Sequence, residues 1–266
     1  RTIELLKEIE KMELKKKEEI INKNKLLANL KMEELDYKKQ LDNIYTKINE
    51  NKASLQGKIS NFNLLKNMEE DFEGYYKSVK NLMLACKKED ILRARLIGVI
   101  ADLIKVDEKY EKAIDIGLGG SLQNIVTKDE NDAQYIIEYL RKNKLGRVTF
   151  LPLSTIKGNP IYISPQDRQK YNILGLGSEL ISYNEKYKKI MEYLLGRTIV
   201  VNSLDDATKV ARKYNYSFRI VTLDGDIINA GGSMTGGSLP KMSGNLLNRR
   251  HRIELLRQEI NEMSNI

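Results

Sequence analysis

The sequence has one cysteine, Cys86, one histidine, His251, and no tryptophan. A lone cysteine excludes an intramolecular disulfide, and with one histidine it leaves too few donors for a zinc site. A zinc-mediated hook at a coiled-coil apex fails for the same reason, since it needs a Cys-x-x-Cys pair. Cys86 lies near a heptad seam and reads as a small apolar filler in a reducing, cytoplasmic setting. No apolar run is long enough to cross a bilayer, so no membrane partner is expected, and no signal segment stands at the start. The chain begins at Arg1, and both ends lie in charged, heptad-like sequence. It reads as a piece of something longer.

Proline is nearly as scarce. There are four, the first at position 152, which permits a very long uninterrupted helix before it. From Leu27 a strict alternation of three- and four-residue steps runs to Met83. It passes through Leu30, Glu34, Tyr37, Leu41, Ile44, Ile48, Asn51, Leu55, Lys58, Phe62, Leu65, Glu69, Phe72, Tyr76 and Val79. Thirteen of these seventeen positions are apolar or tyrosine, which predicts a coiled-coil helix. Continued into the high 80s it would span on the order of 130 Å, too long to fold on itself. A shorter heptad at Leu246, Arg249, Ile253, Leu256, Ile260 and Met263 is its favoured partner; the alternative is that each helix pairs with another chain. A compact segment between the two helices makes them antiparallel.

Between Ala94 and Pro240 the texture changes. Glycines appear, and β-type runs alternate with helical ones. Strands are expected at 97–100, 123–127, 147–151, 198–201, 219–223 and 226–229, helices at 131–142, 185–195 and 204–213, and a linker at 157–170. Two series match: Tyr110, Leu118-Gly119, Ile125-Val126, Asp132-Ala133 and 148–151 against Tyr187, Leu195-Gly196, Ile199-Val200, Asp206-Ala207 and 220–223. Their offset begins at 77 residues and shrinks to 72. The expected fold is therefore a two-lobed α/β domain with pseudo-repeated subdomains, flanked by long helices in an antiparallel coiled coil. The boundaries are an arm over 1–92, the globule over 93–240 (lobes 93–160 and 170–240) and a second arm over 241–266.

The Gly-rich stretch 230–238 holds two Gly-Gly pairs, Gly231-Gly232 and Gly236-Gly237. A Walker loop needs Lys then Ser or Thr after the last glycine, and here Ser238, Leu239 and Pro240 follow. Close backbone approach of another surface fits better, with a flexible tether as the bland alternative. A nucleophile–base pair is missing too, so no catalytic residue is assigned. The net charge of +8 suits an acidic partner, nucleic acid first. Lys87, Lys88, Arg93 and Arg95 end the first arm. Lys241, Arg249, Arg250 and Arg252 begin the second, so an antiparallel pair brings them together as a candidate phosphate-binding patch.

Five segments then occur in order: 101–104 (ADLI), 110–114 (YEKAI), 118–126 (LGGSLQNIV), 146–153 (GRVTFLPL) and 231–237 (GGSMTGG). Together they closely resemble the hinge of bacterial-type SMC chromosome-maintenance ATPases, over about residues 93–240. The resemblance implies hinge-mediated homodimerisation with Gly231, Gly232, Gly236 and Gly237 at the contact, and weak, sequence-nonspecific DNA contact. It implies a nucleoid-associated protein of chromosome condensation and segregation. ATP, Mg²⁺ and accessory subunits would belong to head domains absent here, so this segment takes no cofactor and hydrolyses nothing. The competing reading is a DNA-binding tip whose dimerisation is incidental.

Overall fold

The computed structural model describes residues 2–237 and 246–264. The chain divides into two compact units, Arg1–Ser60 with Glu259–Ile266, and Asn61–Gln258.

The first unit is helical. It holds most of α1 (Thr2–Glu70) and the end of α10 (Leu246–Ser264). Lys58 Nζ pairs with the Glu259 carboxylate. The heptad residues Leu27, Leu30, Tyr37, Leu41 and Ile44 are all at least half exposed, so this stretch of seam is open among the described residues.

The first helix is shorter than its periodicity suggests. It stops at Glu70, and a turn follows with Phe72 at φ 51° and Gly74 at φ 86°. Glycine accepts that left-handed conformation without a Cβ penalty, as at many helix C-termini. The chain then re-enters helix as α2 (Lys77–Lys88) and α3 (Asp90–Arg95). Val79, Leu82 and Cys86 of α2 are buried against Leu92, Val99, Ile125, Ile136 and Leu140. Residues 77–92 are thus part of the globule, not of an arm. Burial pushes the Cys86 thiol up to about 11, with Glu89 adding to it, which suits a filler rather than a nucleophile.

Two related sheets follow. The first lobe runs β1 (Leu96–Val99), α4 (Ile100–Leu103), β2 (Ile104–Val106), α5 (Glu108–Leu118), β3 (Ile125–Thr127), α6 (Glu130–Lys142) and β4 (Phe150–Pro152). Strand β3 lies antiparallel to β1 and parallel to β4. The second lobe runs α7 (Pro165–Lys170), β5 (Ile173–Leu176), β6 (Ile181–Tyr183), α8 (Lys188–Leu195), β7 (Thr198–Val201), α9 (Leu204–Lys213), β8 (Arg219–Thr222), β9 (Ile227–Ile228) and β10 (Met234–Thr235). There β7 lies antiparallel to β5 and parallel to β8. The register shifts at Leu96/Gly98 in one lobe and at Ile173/Gly175 in the other, 77 residues on. The repeat read from the sequence is a repeat of architecture.

The lobes are joined by a pairing that sequence patterns did not suggest. Strand β2 pairs antiparallel with β6, Ile104 with Tyr183 and Val106 with Ile181. Each residue meets the equivalent of its mirror position, so a local pseudo-twofold passes between Lys105 and Ser182. Period-two alternation divides each sheet between two cores. Ile125 faces the α2–α6 side, while Val126 and Leu151 face a central core shared with Ile190, Met191 and Leu195 of the other lobe. Residues 157–170 are more than a linker, because Ile163 is buried in the second lobe's own core and Ser164 caps α7.

Candidate dimer edge and basic surface

The Gly-rich stretch forms the last hairpin of the second sheet, in the order β10-β9-β8-β7-β5. Gly231 and Gly232 both have positive φ, 89° and 93°, and make the reversal between β9 and β10. A Cβ on Gly236 would sit 2.3 Å from Asp226 Oδ1. Positive φ at Gly231 and Gly232 and crowding at Gly236 make all three requirements of their own hairpin, while nothing lies within 4 Å of a Cβ placed on Gly231 or Gly237. Ser238 lies outside the described residues.

The outer edge of β10 has no strand beside it among the described residues. Asn229 N–H donates to Ser233 O at 2.8 Å, and the next couple along is Met234 with Ile228. Antiparallel ladders alternate bonded and non-bonded couples, so Met234 turns its N–H and C=O outward. Its side chain is 57% exposed. The sequence pattern points to the glycines and gives no sign of this methionine.

A second free edge lies on β4. Ile125 N–H donates to Thr149 O and Leu153 N–H donates to Thr127 O, each at 3.0 Å. Thr149, Leu151 and Leu153 therefore serve β3, and Val148 and Phe150 direct their backbone groups away. Among the described residues no strand lies there, whereas the equivalent strand β8 is flanked by β9. Beside this edge runs a shallow cavity of about 450 Å³, with Ala133, Ile137, Val148 and Phe150 in its wall.

Of the eight cations proposed from sequence, seven lie among the described residues, and four of these make contacts within the fold. Lys87 Nζ donates to Glu70 O at 2.7 Å and lies over the Phe72 ring. Arg249 is 4% exposed and donates through Nη1 to Met68 O at 3.2 Å and Glu73 O at 2.7 Å. Of the carbonyls at the end of α1, Asn67 O, Met68 O and Glu69 O accept backbone N–H groups from the following turn, and Lys87 serves Glu70 O. Arg250 pairs with Glu69 at 3.0 Å and Asp102 at 2.7 Å. Arg95 pairs with Asp132 at 2.6 Å and stacks over Tyr135. Lys88, Arg93 and Arg252 remain exposed. Lys241 lies outside the described residues.

Comparison with known proteins places this architecture. A family model described as the flexible hinge domain of SMC proteins matches residues 93–211. The chromosome partition protein Smc of Desulfitobacterium hafniense is 44% identical over 208 residues, 78% of this chain and 17% of its own length. That of Bacillus subtilis is 37% identical over 202 residues, 75% of this chain and 17% of its own. The chain thus spans about a sixth of the length of these curated relatives. A crystal structure of an asymmetric dimer of the Geobacillus stearothermophilus SMC hinge domain superimposes with a TM-score of 0.69 at 35% identity. The match covers 81% of this chain and 86% of that one.

Proposed function

The chain belongs to the SMC family and carries its hinge, and we propose from that premise that it joins two identical copies through their sheet edges. The observation that carries this is two edge strands with outward-facing backbone groups, β10 at Met234 and β4 at Val148 and Phe150. Strand addition satisfies the free N–H and C=O groups of both. If β10 of each copy adds to β4 of the other, the contact occurs twice about a twofold axis and closes. The dimeric Geobacillus hinge supports self-association. Gly231, Gly232, Gly236 and Gly237 shape the hairpin that presents the edge.

Cross-linking tests the pairing. One tagged chain carries Met234→Cys, a differently tagged chain carries Val148→Cys, and a short bismaleimide is added to the mixture. A cross-link bearing both tags is expected. Its absence, with both variants folded, would contradict the edge pairing. Cys86 is buried and its thiol pKa is raised, so it contributes little background.

A DNA-contacting role rests on the cations left free. Lys88, Arg93 and Arg252 are exposed and offer phosphate contacts without base readout. Replacing all three by Glu is expected to weaken duplex binding about tenfold at low salt and flatten the salt slope by about 2–3. An unchanged slope would remove this surface from consideration. In the full-length protein, ATP hydrolysis, accessory subunits and nucleoid association would belong to parts outside this segment.

A further inference from the structure

Outside the edge chemistry, Arg250 joins three helices, α1, α4 and α10. Arg250 sits one turn into α10. Its Nε reaches Glu69 Oε1 at the end of α1, at 3.0 Å. Its Nη2 reaches Asp102 Oδ1 on α4, at 2.7 Å. Its Nη1 donates to Ala101 O at 3.4 Å. Tyr75 O–H, in the turn after α1, donates to the same Asp102 oxygen at 3.4 Å. One guanidinium therefore ties together the root of α10, the end of α1 and the helical turn that leads into β2. That strand makes the pairing between the lobes.

The packing around this point is uneven. Leu246 and Leu247 anchor the start of α10 in the central core. On the side of β2 and α5, however, a cavity of about 670 Å³ opens beneath the helix, with Ile104, Glu111, Leu247, His251 and Glu254 in its wall. The root is thus seated by two leucines and held in direction by polar contacts, with free space beside it. Apolar packing has no cheap alternative arrangement, while ion pairs whose side chains are about a third exposed can exchange for water. Burial holds the Asp102 carboxyl above its usual range, and Arg250 and the Tyr75 hydroxyl oppose that shift.

Resting on the hinge reading, we propose that Arg250, with Asp102 and Glu69 as its receptors, is a latch that fixes the direction in which α10 leaves the globule. With the latch closed, α10 is held beside the end of α1. With it open, α10 pivots about Leu246 and Leu247 into the adjoining space. The latch is a positioning device and takes no part in the edge contact between copies.

The test reads α10 directly. Lys58 and Glu259 touch across α1 and α10. In a chain carrying Lys58→Cys and Glu259→Cys, a short bismaleimide reports whether the helices stay together. Adding Arg250→Glu is expected to lower the intrachain yield at least threefold, with the mass in solution unchanged. Reversing all three charges (R250E, D102K and E69K) is expected to restore the yield. Equal yields with and without R250E would overturn the latch, as would failure of the reversed triple in a chain of native circular dichroism. Should R250E unfold the globule, Arg250→Gln replaces it, with a twofold loss expected and no loss overturning the proposal. A monomeric parent chain would count against the hinge reading but leave this intrachain measurement standing.

Discussion

Met234→Pro is expected to raise the dimer dissociation constant about a hundredfold while leaving the melting of the globule nearly unchanged. Proline removes one N–H, and at position 234 that N–H points to the open edge rather than to β9. The own-chain ladder keeps its bonds, and the partner strand loses a donor. An unsatisfied carbonyl costs about 1–3 kcal/mol. A twofold dimer makes the contact twice, so about 1.5 kcal/mol per site becomes about 3 kcal/mol, or two powers of ten in affinity. Sedimentation equilibrium over a concentration series measures it. Thr235→Pro is the comparison: its N–H falls in the bonded couple with Ile227, so it should harm the protomer itself.

Leu82→Ala carries the largest effect expected on stability. Leu82 is 0% exposed within the α2–α6 core. Truncating a fully buried leucine removes its transfer free energy and leaves a cavity, about 3 kcal/mol in all. Leu41→Ala removes the same atoms from a helix face that is half exposed and should cost under about 0.5 kcal/mol. Urea unfolding of the two variants separates the accounts of residues 77–88. A large loss at Leu82 with almost none at Leu41 places α2 in the globule. Equal, small losses would make α2 a continuation of the arm.

That contrast also shows what the sequence could reveal. The heptad through α1 was legible because helix periodicity is local, and the two lobes were legible because their elements recur at a steady offset. The break at 71–76 was hidden because Val79, Leu82 and Cys86 also follow three- and four-residue steps. Any amphipathic helix satisfies a heptad over two turns, whether its stripe meets a second helix or a globular core. Gly74 was the available signal, a glycine one turn past the end of a long helix. The β2–β6 pairing had no local signature at all. It joins three-residue strands far apart in sequence, and its logic lies in the pseudo-twofold.

The basic patch illustrates a different limit. Lysines and arginines near the arm roots add up to a positive cluster only if they face solvent. Half of those named make contacts within the fold; of these Arg249 is buried, Arg95 and Arg250 are partly exposed, and Lys87 stays exposed. The end of a 69-residue helix presents carbonyls that need donors; backbone N–H groups of the turn serve three of them, Lys87 serves Glu70 O, and Arg249 adds a second bond at Met68 O. Which cations are engaged this way is decided by tertiary packing, which composition does not encode. The glycines were read correctly as a place of unusual backbone, but the side of β10 that faces outward depends on hairpin register, which sequence leaves open.

The central claim is self-association, and the mass of the unmodified chain in solution tests it most directly. The protomer is 30.6 kDa. At micromolar concentration, sedimentation equilibrium should give twice that mass, independent of loading over about a tenfold range. A species that stays at the protomer mass throughout that range would contradict the account.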